Sequence, residues 1–269
     1  MHSPPSAHPA TFINPTPVPR GRASPFIRDL VIDHGPRDIL GRFFLRADEA
    51  ARERGVTLAF ASLEDMKKVN AANRDTWGDL MPMFDTAHCD FADESALCIL
   101  GYDANGQVVA TQAARHYDLT NRSLRSVAED LNLFYGTRRP PPEAHCTVTA
   151  ANAEAITDSI VYSGSGWYRP DYRRCGLSTL LPSISRAYAL AKWDTQYTVS
   201  FVEWILVQKG VTGRYGYHSV EDGVEMQGIV DGIFAGGVAW MNRTELLDDL
   251  TTFSPGSLPQ IDARIAQGG

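Results

Sequence analysis

The stretch WYRPDYRRCGLSTLL, from Trp167 to Leu181, sets four charged residues, a proline and a glycine between an apolar run behind it and a periodic apolar run ahead. It reads as a strand ending at Tyr168 or Arg169, a tight turn through Pro170-Asp171-Tyr172, and a loop Arg173–Ser178 that runs straight into a helix. A helix N-terminus points unpaired N–H groups and a positive dipole end at whatever sits before it, which suits a phosphate. Gly176 and Ser178 are small enough for a ligand to approach the backbone, and Arg169, Arg173 and Arg174 add positive charge. Together they describe an anion cradle. The same pattern also serves an ordinary strand–helix connection with surface arginines, and a lone glycine-containing basic loop does not separate the two. Trp167 and Tyr168 are placed to line a channel beside the loop or to pack in a core. Cys175 sits where a helix N-terminus and arginines would lower a thiol pKa, or it simply fills space.

The elements that must hold this loop follow from the rest of the chain. Its 269 residues carry a formal charge of -7 and 43% hydrophobic residues, enough for one large domain and without a general basic face for nucleic acid. Four cysteines lie apart, with no C-x-x-C pair and no His/Cys cluster at zinc spacing, so no metal site is expected and the thiols fit a reducing, cytoplasmic compartment. No apolar run approaches the roughly 20 residues needed to cross a bilayer, and the N-terminus lacks a secretory h-region.

Residues 1–25 are proline-rich and unpatterned, as expected of a disordered tail. Residues 26–55 read as a helical extension, with Ile39, Leu40, Phe43, Phe44 and Ala47 on one stripe and Gly55 as the stop signal. Val56–Phe60 is a strand candidate, and Ser62 opens a helix with Leu63, Met66, Val69 and Ala72 at helical spacing. Two apolar runs around Asp103-Ala104-Asn105-Gly106 predict an antiparallel hairpin. Residues 120–156 read as an insertion containing one amphipathic helix and a coil, RRPPPEAHC, in which three prolines forbid regular structure. The strand ITDSIVYSGSGWYR precedes the loop. After it come a helix with Leu180, Ile184, Ala187, Leu190 and Ala191 facing inward, a strand QYTVSFVEW, a short helix, and a closing hairpin. Residues 251–269 read as a tail.

Arg173-x-x-Gly176-x-Ser178 resembles the acyl-CoA-binding motif R/Q-x-x-G-x-G/A of the GNAT superfamily of N-acetyltransferases, and Tyr168-x-Pro170-x-Tyr172-Arg173 partly matches its lead-in. The order of elements over about residues 56–250 agrees. The resemblance implies an α/β fold with a central mixed, mostly antiparallel twisted sheet flanked by helices. It further implies acetyl-CoA or another acyl-CoA as co-substrate, with Trp167, Tyr168, Arg169, Arg173, Arg174, Cys175, Gly176, Leu177 and Ser178 in its binding segment. The implied activity is direct attack of a small-molecule or protein amine on the thioester, with no acyl-enzyme. The carbonyl would be polarised by a backbone N–H within residues 164–168. Glu203, after the strand, is then the candidate base, and Tyr215 the candidate acid, with Tyr217 near it; a solvated helix-start glutamate and packed tyrosines are the plainer alternatives.

The motif ends in Ser178 rather than Gly or Ala, Pro182 falls inside the following helix, and the position of the usual proton-donating tyrosine carries Thr212. Asp118, Glu129 and Asp130 are candidates to recognise a cationic amine, or else a solvated face, while His116, His145 and His218 are isolated. A homodimer is left open. The other readings carried forward are a catalytically inactive acyl-CoA sensor or scaffold of the same fold, and an enzyme like the acyl-homoserine-lactone synthases.

Overall fold

The computed structural model describes residues 24–258, so most of the expected N-terminal tail lies outside the described residues. In chain order the elements are α1 (Pro25–Arg28), α2 (Arg37–Glu53), β1 (Thr57–Ala61), α3 (Leu63–Ala72), α4 (Arg74–Trp77), β2 (Ala96–Tyr102), β3 (Val108–Leu119), α5 (Leu124–Glu129), α6 (Asn132–Tyr135) and β4 (His145–Val148). Then follow β5 (Asp158–Tyr168), α7 (Leu177–Trp193), β6 (Tyr197–Glu203), α8 (Trp204–Gln208), α9 (Val211–Arg214), β7 (Ser219–Gln227), β8 (Ile233–Asn242) and α10 (Arg243–Thr252). The strands form one sheet in the order β1-β2-β3-β5-β6-β8-β7-β4. All neighbours are antiparallel except β5 and β6. This is the mixed, mostly antiparallel α/β sheet expected from the sequence.

Local signals account for most of the elements that frame the loop. Ser62 Oγ accepts the Asp65 amide at 3.0 Å and starts α3, the capping that Ser supplies best. Asp103 Oδ1 accepts the amides of Asn105 and Gln107, and Gly106 at φ 74° completes the turn between β2 and β3. On one face of the sheet, Phe26, Leu40, Phe44, Leu180, Ile184 and Ala187 bury α1, α2 and α7 together. On the other, Met66, Phe84, Leu133, Phe134 and Phe201 join α3 and the insertion to the sheet.

Three expectations change. The amphipathic helix of the insertion is two short helices, because Leu131 adopts φ 66° between them. The coil ends early: His145 and Cys146 belong to β4, which pairs with β7 at the sheet edge farthest from β1. A four-residue strand leaves too short a pattern to detect. The C-terminal tail does not begin at 251, because α10 runs through Thr252, Phe253 packs its ring 5.0 Å from that of Phe43, and Leu258 is buried. Pro182 lies inside α7, where the sequence places it, and the helix continues through it.

The boundary near residue 25 is also a packing site, since Phe26 is 0% exposed and its ring meets Phe44 edge-on and Phe60 at a tilt. Truncating a buried phenylalanine costs about 3 kcal/mol or more. Phe26→Ala is therefore expected to lower the free energy of unfolding by about 3 kcal/mol in denaturant titration; a loss within about 0.5 kcal/mol, typical of a surface site, would show that α1 is not part of the core.

Candidate functional site

The site begins where β5 and β6 part. Their parallel ladder covers only Ile160–Tyr162 against Tyr197–Val199, and beyond it the two strands diverge. Tyr162, whose phenol burial pushes well up, reaches across the gap and accepts the Phe201 amide at 3.1 Å. On its other side β5 carries a bulge: Thr111 pairs with Trp167 and Ala113 with Gly164, so Ser165 and Gly166 face the single residue Gln112. Such a bulge re-aims the backbone at one point of a ladder. It is held by Gln112, whose Nε2 donates to Ser163 Oγ and the Gly164 carbonyl, and by Thr111 Oγ1, which donates to the Ser165 carbonyl. Gly164 is required there, because a Cβ would stand 2.9 Å from the Phe84 ring.

The divergence leaves a narrow cavity of about 80 Å³ lined by Ser163 and Gly166 of β5, Ser200 of β6, Pro182 of α7, Tyr215 and Tyr217. Gly166, Tyr168 and Tyr215 also line a second cavity of about 280 Å³ that opens onto Arg173, Arg174 and Ser178. The two cavities therefore meet along one strand end and lead to the start of α7. Tyr168 projects its hydroxyl into this region, where it is buried and finds no hydrogen-bond partner among the described residues. A buried hydroxyl normally has a partner, so a polar ligand group fits there.

At the loop, Gly176 adopts φ 85° as the N-cap of the 17-residue α7 and offers no side-chain acceptor. Gly176 itself thus caps none of the first-turn amides through a side chain, and Ser178 lines the cavity beside the helix start. Arg174 takes φ 67° and also lines that cavity. The other two arginines build the loop. Arg169 is bidentate to Asp171, at 2.8 Å through Nε and 2.8 Å through Nη2, and its Nη1 lies 3.2 Å from Asp103. Arg173 donates to the carbonyls of Tyr168 and Thr76 at 3.0 and 3.3 Å.

Cys175 and Leu177 turn their side chains into the core, leaving only backbone for a ligand. Arg54 Nε, buried beneath the loop, holds the Cys175 carbonyl at 2.6 Å. The Cys175 thiol donates to the Tyr172 carbonyl at 2.8 Å, and burial pushes its pKa up rather than down. Trp167 is buried, stacks on Trp77 at 5.5 Å and donates Nε1–H to Thr76 Oγ1. Its backbone N–H goes to Thr111 Oγ1, and that of Arg169 to the Val109 carbonyl.

Glu203 lies exposed at the end of β6 and lines neither of these cavities. Tyr215 lines both, and Tyr217 sits deeper, against Ser163, Ser200 and Arg186. The carboxylates suggested for amine recognition are engaged elsewhere: Asp118 accepts from Thr120, Glu129 accepts the Val148 amide at 3.1 Å, and Asp130 pairs with Arg122. His116 stacks on Trp193, and His218 pairs with Asp249. Among the described residues no group of three or more His, Cys, Asp or Glu is placed to hold a metal ion, and no helix is long and apolar enough to cross a membrane.

Sequence reasoning missed Gln112, Ser163 and Ser200, which carry no motif, and Arg186. The signal for Arg186 was present: one arginine midway along an otherwise largely apolar helix.

No family model matches the chain, and no curated protein matches it in sequence. Several solved structures are similar to it in structure. Spermidine/spermine N-acetyltransferase SpeG from Vibrio cholerae is similar at 10% identity and TM-score 0.40, over 72% of this chain and 97% of that one. An acetyltransferase of the GNAT family from Streptococcus pneumoniae is similar at 12% identity and TM-score 0.39, over 70% and 99%. FeeM, an N-acyl amino acid synthase from uncultured soil microbes, is similar at 8% identity and TM-score 0.43, over 71% and 92%.

A buried thiol of raised pKa, hydrogen-bonded to the backbone, is a poor nucleophile. Iodoacetamide at pH 8 is expected to label Cys175 at least about tenfold more slowly in the native protein than in the unfolded chain, read by peptide mass spectrometry. Labelling at equal rates would contradict the packed loop.

Proposed function

We propose that the chain is a GNAT-type N-acyltransferase that moves an acyl group, acetyl in the first instance, from acyl-CoA to a primary amine by direct attack. One observation carries this reading: the β5–β6 divergence and the uncapped start of α7 are joined by cavities that share Gly166, Tyr168 and Tyr215. A thioester arm fits the first part and a pyrophosphate the second. Acyl-CoA supplies the activated acyl group and its thiol leaving group; the protein supplies placement and charge.

In this reading the backbone of Gly176–Ser178, with Arg174 beside it, binds the pyrophosphate through N–H groups and the helix dipole. Arg169 and Arg173 hold the loop in the shape that allows this. Gly166, in the bulge and lining both cavities, is the residue assigned to donate its N–H to the thioester carbonyl, since the N–H groups of Trp167 and Arg169 have partners. A fixed donor aimed at developing negative charge is the strongest single contribution such a site makes. The attacking amine gives up its proton to solvent at the open end of β6, where Glu203 is the carboxylate at hand. Tyr217, and Tyr215 at the cavity mouth, are the hydroxyls available to the departing sulfur; Tyr217 is the deeper, and burial raises its phenol pKa while Arg186 opposes that rise. It is therefore protonated and able to donate at neutral pH.

The acceptor is assigned to a separate cavity that shares no lining residue with the other two. A cavity of about 670 Å³ lies between α3 and the β7–β8 turn and is lined by Asp79, Asp85, Glu143 and Asp231. Its cations Lys67 and Arg74 are paired with Asp85 and Asp79, which leaves a net negative wall suited to a positively charged amine.

Calorimetric titration with acetyl-CoA, alongside thiol release with a panel of primary amines, tests the reading. Gly176→Val is expected to weaken CoA binding at least about tenfold, because a β-branched residue both fills the approach and resists positive φ. Ser178→Glu keeps a residue favourable to a helix N-terminus yet sets a carboxylate against the pyrophosphate, and the same loss is expected without a lower melting temperature. Parent-like binding in both variants would remove the cradle. Binding without thiol release from any amine would favour a sensor or scaffold.

A further inference from the structure

Arg186 is 1% exposed, among the largest fully buried side chains of the protein. Its Nη2 donates to Ser183 Oγ at 3.3 Å, while Nε and Nη1 meet no hydrogen-bond acceptor among the described residues. No carboxylate pairs with it there either. A buried cation without a counter-ion is costly unless other groups meet its charge. What it faces is Tyr217: the guanidinium Cζ lies 5.2 Å from the ring centroid. Gly216, at φ 77°, makes this approach possible, because a Cβ there would stand 2.8 Å from Arg186 Nη2.

Resting on the acyltransferase reading above, we propose that Arg186 is a positioning residue that acts through Tyr217, holding its hydroxyl toward the β5–β6 cavity and polarising it to donate to the departing thiolate. The step balances. The amine nitrogen bonds to the thioester carbonyl carbon, the C–S bond breaks with its electron pair going to sulfur, and the Tyr217 O–H proton passes to sulfur to give CoA thiol. The phenolate left behind faces Arg186 until solvent returns a proton equivalent to the one lost by the amine.

The surroundings of both groups favour this direction of influence. Tyr217 is flanked by Ser163 and Tyr162 from β5, Ser200 from β6 and Arg186 from α7. Arg186 faces Tyr217, Tyr168 from β5 and, electrostatically, Asp249 of α10, which is already paired with His218. Of the charged groups named, Arg186 is the one whose field falls on the Tyr217 hydroxyl without a bonded counter-ion. Burial raises the Tyr217 pKa, and the guanidinium charge opposes that rise.

The test needs a readout that a merely structural arginine would leave alone. With 3-fluorotyrosine placed at position 217, the ¹⁹F resonance reports ionisation of that phenol directly. Arg186→Met is expected to raise its titration midpoint by about one pH unit or more, and Arg186→Lys to return it toward the parent value, because the charge is restored. In turnover, Arg186→Met is expected to lower kcat at least about tenfold with KM for acetyl-CoA nearly unchanged. The same change in a Tyr217→Phe background is expected to cost little more, since the two residues act as one unit.

An unmoved midpoint, or losses that multiply independently in the double variant, would overturn the proposal. If Arg186→Met does not fold, the lysine variant decides: a parent-like midpoint supports the coupling, and one displaced upward by as much as neutral burial predicts opposes it. Absence of turnover in the parent with an Arg186-dependent midpoint would defeat the acyltransferase reading while leaving the coupling between the two residues intact.

Discussion

The structure turns on the failure of β5 and β6 to stay paired. A parallel ladder of three residue pairs gives each strand a fixed start, and then two backbones leave each other inside the protein with polar groups to satisfy. Buried backbone N–H groups are not left orphaned, and the side chains that meet them define the site. Tyr162 crosses the gap to the Phe201 amide; Gln112 and Thr111 hold the bulged rim of β5; Tyr217 closes the wedge from behind. The cavity is what remains after these demands are met, and its hydroxyl-rich lining follows from them.

The loop and its helix extend that wedge. β5 ends at Tyr168, the loop turns on Arg174 and Gly176 in positive φ, and α7 begins with no side-chain cap. Arg54, Arg169 and Arg173 tie the turn to α2, to Asp103 and to α4. A basic segment that looks in sequence like one patch of charge is thus divided in the fold. Two of its three arginines maintain backbone geometry, and Arg174 lines the cavity beside the loop.

How far the sequence could be read depended on the range of the interaction involved. The loop, Gly176, the hairpin at Asp103–Gly106 and the periodic α2, α3 and α7 were legible because their causes lie within a few residues. β4 was not, because four residues carry no period and its partner β7 lies some seventy positions on. Nor was α10 foreseen, although Asn242 and Glu245 form a capping box that spacing alone would have suggested. Leu131 broke an apparently continuous amphipathic helix for a tertiary reason: α6 must turn to place Leu133 and Phe134 over the sheet. Tyr215, named from the sequence as a candidate acid, lies on the wall of both cavities. Arg186 and the bulge at Ser165–Gly166 depend wholly on contacts across the fold, and Glu203 stands at a strand end whose exposure periodicity does not reveal.

Hydrogen–deuterium exchange with and without acetyl-CoA tests the central claim most directly, that the strand divergence and the α7 N-terminus form one acyl-CoA site. The account predicts slowed exchange on ligand addition at the amides of residues 164–168 and 176–179 together, with the edge strands β1 and β4 unaffected. Protection confined to other segments, or none at saturating ligand, would contradict it.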